Sequence, residues 1–78
     1  MTVRGYVLIQ TEVGRAAAVS ELAGAIEGVV GADNVTGPYD VIVRAESGTV
    51  DDLGRLVVAR LQTIPGITRT VTCPVVHL

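Results

Sequence analysis

The 78 residues contain no lysine, no phenylalanine and no tryptophan, and only one cysteine and one histidine. Each shortage removes a class of protein. Cys73 alone excludes an internal disulfide and a Cys-rich zinc site. Six scattered arginines (Arg4, Arg15, Arg44, Arg55, Arg60 and Arg69) against eight acids leave a net charge of −2 and a pI near 5.1. Nucleic-acid binding draws on a basic stripe and stacking aromatics. Here only Arg55 and Arg60 share one helical segment, and two tyrosines are the whole aromatic complement, so no direct contact with nucleic acid is expected. No apolar run approaches the ~20 residues of a membrane-spanning helix. The opening Met1–Gly5 lacks the basic-then-apolar order of an export signal, and a lone free thiol suits a reducing cytoplasm.

What is present is aliphatic. Hydrophobic residues make up 49% of the chain, and the mean hydropathy is +0.52. A chain of this mass buries only ~62% of its unfolded surface, which leaves a single small domain marginal. With disulfide and metal excluded, self-association is the expected support.

The chain repeats itself. Val7-Leu8-Ile9-Gln10-Thr11-Glu12-Val13-Gly14 aligns with Val41-Ile42-Val43-Arg44-Ala45-Glu46-Ser47-Gly48 at an offset of 34. Ile26-Glu27-Gly28-Val29 then aligns with Ile64-Pro65-Gly66-Ile67 at an offset of 38. The second half is thus longer by about one helical turn. Between the anchors, Ala16, Val19, Leu22, Ala23 and Ile26 form an apolar stripe at helical spacing over 14–27. Leu53, Leu56, Val57, Leu61 and Ile64 do the same over 50–64, opened by Thr49 as N-cap, with Asp51 and Arg55 spaced for an i,i+4 pair. Strands are predicted at 4–11, 29–36, 40–46 and 67–76. Residues 1–78 therefore form a single α+β domain. Its order is the ferredoxin-like βαββαβ, a four-stranded antiparallel sheet with two helices on one face.

Alternation assigns the strand faces. Val7, Ile9, Val41, Val43, Val71, Cys73 and Val75 are expected beneath the helices, which makes Cys73 a buried thiol. Tyr6, Leu8, Gln10, Asp40, Ile42, Arg44, Thr70, Thr72 and Val76 are expected on the open face. That face is half apolar and half hydrogen-bonding, a composition suited to a second sheet rather than to water.

Catalytic constellations are wanting. Cys73 has no base in prospect, and His77 lies one residue from the carboxy terminus. Asp51-Asp52 belongs to a helix start, where acids favour the dipole. No motif of metal, P-loop or dinucleotide spacing occurs, so neither metal nor cofactor is expected. A small dimeric α/β-barrel oxygenase or isomerase of the same fold would need polar residues in a cavity under the helices, where this sequence offers Ala, Val, Leu and Ile. The segment Thr36-Gly37-Pro38-Tyr39-Asp40 stands out instead. A Gly-Pro turn followed at once by an aromatic and a carboxylate offers backbone N–H groups, a lid and an ammonium acceptor for a small molecule.

Thr36-Gly37-Pro38-Tyr39-Asp40-Val41-Ile42-Val43, together with Ile64-Pro65-Gly66-Ile67-Thr68-Arg69-Thr70-Val71-Thr72, resembles the effector-binding (RAM) domain of Lrp/AsnC transcription regulators. Tyr6-Val7-Leu8-Ile9 fits as well, and the resemblance spans essentially all 78 residues. Members usually carry an amino-terminal helix-turn-helix; here strand 1 starts within the first few residues, so a stand-alone sensor module is expected. The resemblance implies a non-enzymatic, cytoplasmic protein whose sheets pair face to face into dimers, with dimers joined into a ring such as an octamer. It also implies a small-molecule effector, an amino acid, held where dimers meet. Mixed assembly with full-length Lrp/AsnC regulators follows as a further expectation, and a purely structural oligomerisation module, which differs only in lacking a ligand, stands as the alternative. Position by position it nominates Gly37, Tyr39 and Asp40 for the ligand's polar head and the hydroxyls of Thr70 and Thr72 to complete the site. Pro38 removes one backbone N–H from that turn.

Overall fold

The strand–helix–strand repeat closes into one sheet. A computed structural model describes residues 2–78. In chain order they form β1 (Val3–Thr11), α1 (Ala16–Gly24), β2 (Val29–Asn34), β3 (Val41–Ser47), α2 (Val50–Leu56) and β4 (Ile67–Pro74). The strands run antiparallel in the order β2-β3-β1-β4, so the first strand of each half is central and the second is an edge. In the central pair Val7 lies opposite Val43 and Ile9 opposite Val41. These four, with Val19 and Ala23 of α1 and Val57, Leu61 and Ile64 beyond α2, make the fully aliphatic core, so both helices cover the same face. The structure is the ferredoxin-like α+β fold.

Local chemistry explains the helices. Thr49 is extended (φ −139°, ψ 163°), and its Oγ1 accepts the Asp52 N–H at 3.0 Å, capping α2. The expected Asp51–Arg55 pair is replaced by Asp52–Arg55, with Nη1 2.8 Å from Oδ1. The cap fixes Asp52 in the first turn, one position nearer Arg55, and both side chains are exposed. The extra turn of the second half is a π turn, Val57–Leu61, in which the Gln62 N–H donates to the Val57 carbonyl at 2.9 Å. Positions four apart drift about 40° around an α-helix. The wider turn takes that rotation back, which keeps Leu53, Val57 and Leu61 all buried. Each helix is followed by a glycine at positive φ, Gly28 at 95° and Gly66 at 98°.

β4 departs from simple alternation. Ile67 lies opposite Thr11 and packs on the core, but the next pair is Arg69 with Gln10, so Thr68 is supernumerary, a β-bulge. The skip inverts the rest of the strand. Thr70 lies opposite buried Ile9 and Thr72 opposite buried Val7, both on the helix side, whereas Val71 pairs with Leu8 and Cys73 with Tyr6 on the open side. Val71 and Cys73 therefore leave the predicted core, Thr70 and Thr72 leave the predicted open face, and the Cys73 thiol is exposed.

The open face gains from the inversion. Register places Asp33, Ile42, Leu8 and Val71 in one row across the four strands, and Gly31, Arg44, Tyr6 and Cys73 in the next. The Arg44 guanidinium, the far end of an exposed side chain, lies across Gly31 where a Cβ would otherwise stand. Arg4 and Glu46 form the rim, paired at 3.7 Å. Leu8, Ile42 and Val71 are half-buried, and Tyr6 is 45% exposed. The accessible surface is 4952 Å², above the ~4,500 Å² expected of a compact monomer of this mass. No helix among the described residues is long and apolar enough to cross a membrane.

Candidate functional site

The β2–β3 connection is built around Asp40. The Val35 N–H donates to the Asp40 carbonyl at 2.9 Å, and the Asp40 N–H donates to the Ile9 carbonyl at 2.9 Å, tying the loop to the central strand. Gly37, at φ 121°, turns the chain where a side chain would be strained. The Pro38 carbonyl accepts the Gln10 side-chain N–H at 3.1 Å. The Asp40 carboxylate is half-buried, and its Oδ2 accepts both the N–H of Thr11 at 2.8 Å and the Thr11 hydroxyl at 3.3 Å. Thr11 flanks the β4 bulge, and its N–H points away from β4 with no strand carbonyl to meet it. Asp40 satisfies that donor. Part of its role is thus local structure, and its second oxygen, Oδ1, makes no hydrogen bond within the described residues. Tyr39 beside it is half-buried.

The strand-4 hydroxyls belong to a different surface. Thr70 accepts the Gln62 side-chain N–H at 2.9 Å, and with Gln62, Ile67, Thr68 and Arg69 it lines a depression of about 310 Å³ at the free edge of β4. Thr72 is exposed two residues further along. Across the row Thr70–Ile9–Val41, β1 separates β4 from β3 by two strand spacings, roughly 9.5 Å. Within one subunit the structure brings Gly37, Tyr39 and Asp40 together and Thr70 and Thr72 together, but it does not join the two groups. Sequence reasoning passed over Gln62 and Thr11. The apolar periodicity of 50–64 ends at Ile64 and makes Gln62 one more polar surface position. The Thr11–Asp40 bond depends on where the β1–β3 ladder stops, at Ile9–Val41, which leaves the Thr11 N–H on that side without a strand carbonyl; no residue type in the sequence marks that end.

An antiparallel βαββαβ sheet carrying candidate ligand groups at its β2–β3 connection and on its β4 edge defines a class of small α+β binding domains. Comparison narrows it: residues 4–77 match the family model described as the Lrp/AsnC ligand binding domain, and the chain belongs to that family. TTHA0845 from Thermus thermophilus is 26% identical with a TM-score of 0.91, the alignment covering 97% of this chain and 95% of that one. The hypothetical protein PHS023 from Pyrococcus horikoshii is 30% identical, TM-score 0.87, covering 97% and 92%. The transcriptional regulator NMB0573 from Neisseria meningitidis, solved as an L-Met complex, shares the fold at 13% identity and a TM-score of 0.82, covering 96% of this chain and 50% of that one. No curated protein sequence matches.

Proposed function

We propose that this chain is a non-enzymatic, cytoplasmic sensing module that binds an amino acid between subunits and whose assembly responds to it. The observation that carries the reading is the division of the candidate site. Gly37, Tyr39 and Asp40 stand on one side of β1 and Thr70 and Thr72 on the other, which supports a ligand that meets one group on each of two copies of the chain. The apolar row Ile42–Leu8–Val71 supports pairing of sheets face to face, and Asp40 Oδ1 is available for an ammonium. The L-Met complex of the Neisseria regulator supports the choice of ligand class. Dimers joined into a ring, and mixed assembly with full-length Lrp/AsnC regulators through the same face, belong to this proposal.

Native mass spectrometry of the purified protein, alone and with the twenty amino acids, tests it. The expected result is a ring of dimers retaining one amino acid per subunit; a monomer, or an assembly indifferent to all twenty, overturns it. Asp40→Asn keeps an oxygen for the Thr11 N–H and removes the charge, whereas Asp40→Ala would bare that donor. The Asn variant is expected to assemble normally and to lose the ligand. Undiminished retention would remove Asp40 from the site.

A further inference from the structure

The edge depression at Thr70 has a one-sided chemistry. Of its lining residues, Arg69 is a cation, Gln62 and two threonines carry polar hydrogens, and none is an acid. The β4 backbone adds to this. The Val75 N–H donates to the Arg4 carbonyl at 2.8 Å. In an antiparallel ladder alternate residues point the same way, so Cys73 and Val71 also turn their N–H groups to β1. The N–H groups of Thr70 and Thr72 therefore leave by the free edge, beside the depression.

Gln62 decides what the Thr70 hydroxyl can do. A threonine hydroxyl owns one proton and can also accept. Because Gln62 Nε2 donates to Thr70 Oγ1 at 2.9 Å, the oxygen is engaged as an acceptor and its proton is left to point elsewhere. No hydrogen bond among the described residues uses that proton. The π turn makes this contact possible. It closes through the Gln62 N–H on the Val57 carbonyl, seats Leu61 and Ile64 in the core, and so delivers Gln62 to the β4 edge. π turns inside helices frequently mark functional positions.

We infer that the β4 edge is a carboxylate-recognition cleft in which Gln62 acts as a positioning residue, holding the Thr70 hydroxyl as a donor to the ligand's anionic end. The inference rests on the proposed effector reading and assigns that effector's carboxylate to this edge.

Isothermal titration of the wild-type protein with each of the twenty L-amino acids and its carboxamide tests both levels. An acid bound at least about tenfold more tightly than its amide is expected, the usual effect of one hydrogen bond to a charged group. Gln62→Glu offers only acceptors, so it draws the Thr70 proton to itself; it is expected to lose about tenfold toward the acid and to abolish the acid-over-amide preference. Thr70→Val should do the same, and the two together no more than either alone. Gln62→Ala frees the hydroxyl to rotate and should weaken the acid by a few-fold, about half the effect of Gln62→Glu, with part of the preference kept; binding of the acid at wild-type affinity would overturn the positioning role. Thermal midpoints should be unchanged, since Gln62 is exposed. In wild-type protein the Gln62 side-chain amide resonances should show slowed exchange that Thr70→Val removes. Equal binding of acid and amide by wild type, or a Gln62→Glu variant that still prefers the acid, overturns the cleft and leaves the effector reading standing. No binding by any of the acids overturns the effector reading and the inference with it.

Discussion

Gly28 shows how little freedom single positions have where the two halves meet. It sits at φ 95°, its carbonyl accepts the Glu46 N–H at 2.8 Å, and a Cβ there would lie 2.6 Å from Leu56 Cδ1 and 3.2 Å from the Glu46 carbonyl. Gly28→Ala therefore combines left-handed strain with a clash, for about 1–3 kcal/mol of destabilisation. In a domain of this length that lowers the thermal midpoint by at least about 4 °C; a calorimetric midpoint within a degree of wild type would mean the turn relaxes freely. Gly14, at φ 80° with nothing within 4 Å of its Cβ, carries the strain without the clash and is expected to be the milder site. Asp40 belongs beside Gly28. A carboxylate assigned to a ligand on the strength of sequence turns out also to close a backbone donor, so charge and hydrogen-bond capacity have to be removed separately.

Among the elements, α2 rests most clearly on its cap. The Thr49 hydroxyl accepts the Asp52 N–H, both acids lie in the first turn and Arg55 in the last, while α1 starts from Arg15 with no side-chain cap at all. Thr49→Ala is expected to cost about 1 kcal/mol, read as a fall of about 4–8 °C in the midpoint; circular dichroism melts check it. Most of this architecture was legible in the residues. The half-repeat fixes strand and helix order, and alternation assigns β1 and β3 correctly because both central strands are buried on one face along regular stretches. Reading failed at β4, where Ile67 starts on the core side and continued alternation points Val71 and Cys73 inward. One supernumerary Thr68 inverts that phase, and no residue type announces it. The π turn was equally hidden, since four extra residues fit an added α turn as well as a widened one.

At the scale of the molecule, the open sheet face is the largest unmet demand of the fold. Ile42, Leu8 and Val71 form a row across three strands, flanked by Tyr6 and Arg44, on a domain with more accessible surface than its mass calls for. Ile42→Glu places a charge in that row without touching the helix-side core. It is expected to split the assembly to monomer in sedimentation velocity while the fold survives, each buried isoleucine contributing about 1.5–3 kcal/mol; an unchanged sedimentation coefficient would exclude this face as the interface. The candidate site was legible only as two clusters. Their motifs are local, whereas the contact between chains proposed to unite them is something no spacing within one chain encodes. The bulge bears on this too. Read in unbroken phase, β4 would tuck Val71 and Cys73 inward and turn Thr70 and Thr72 out: a better-sealed solitary domain with a hydrophilic exterior. The skipped residue exchanges those two faces, so how well the domain seals itself and how much apolar surface it turns outward are two sides of one choice, made by a single threonine.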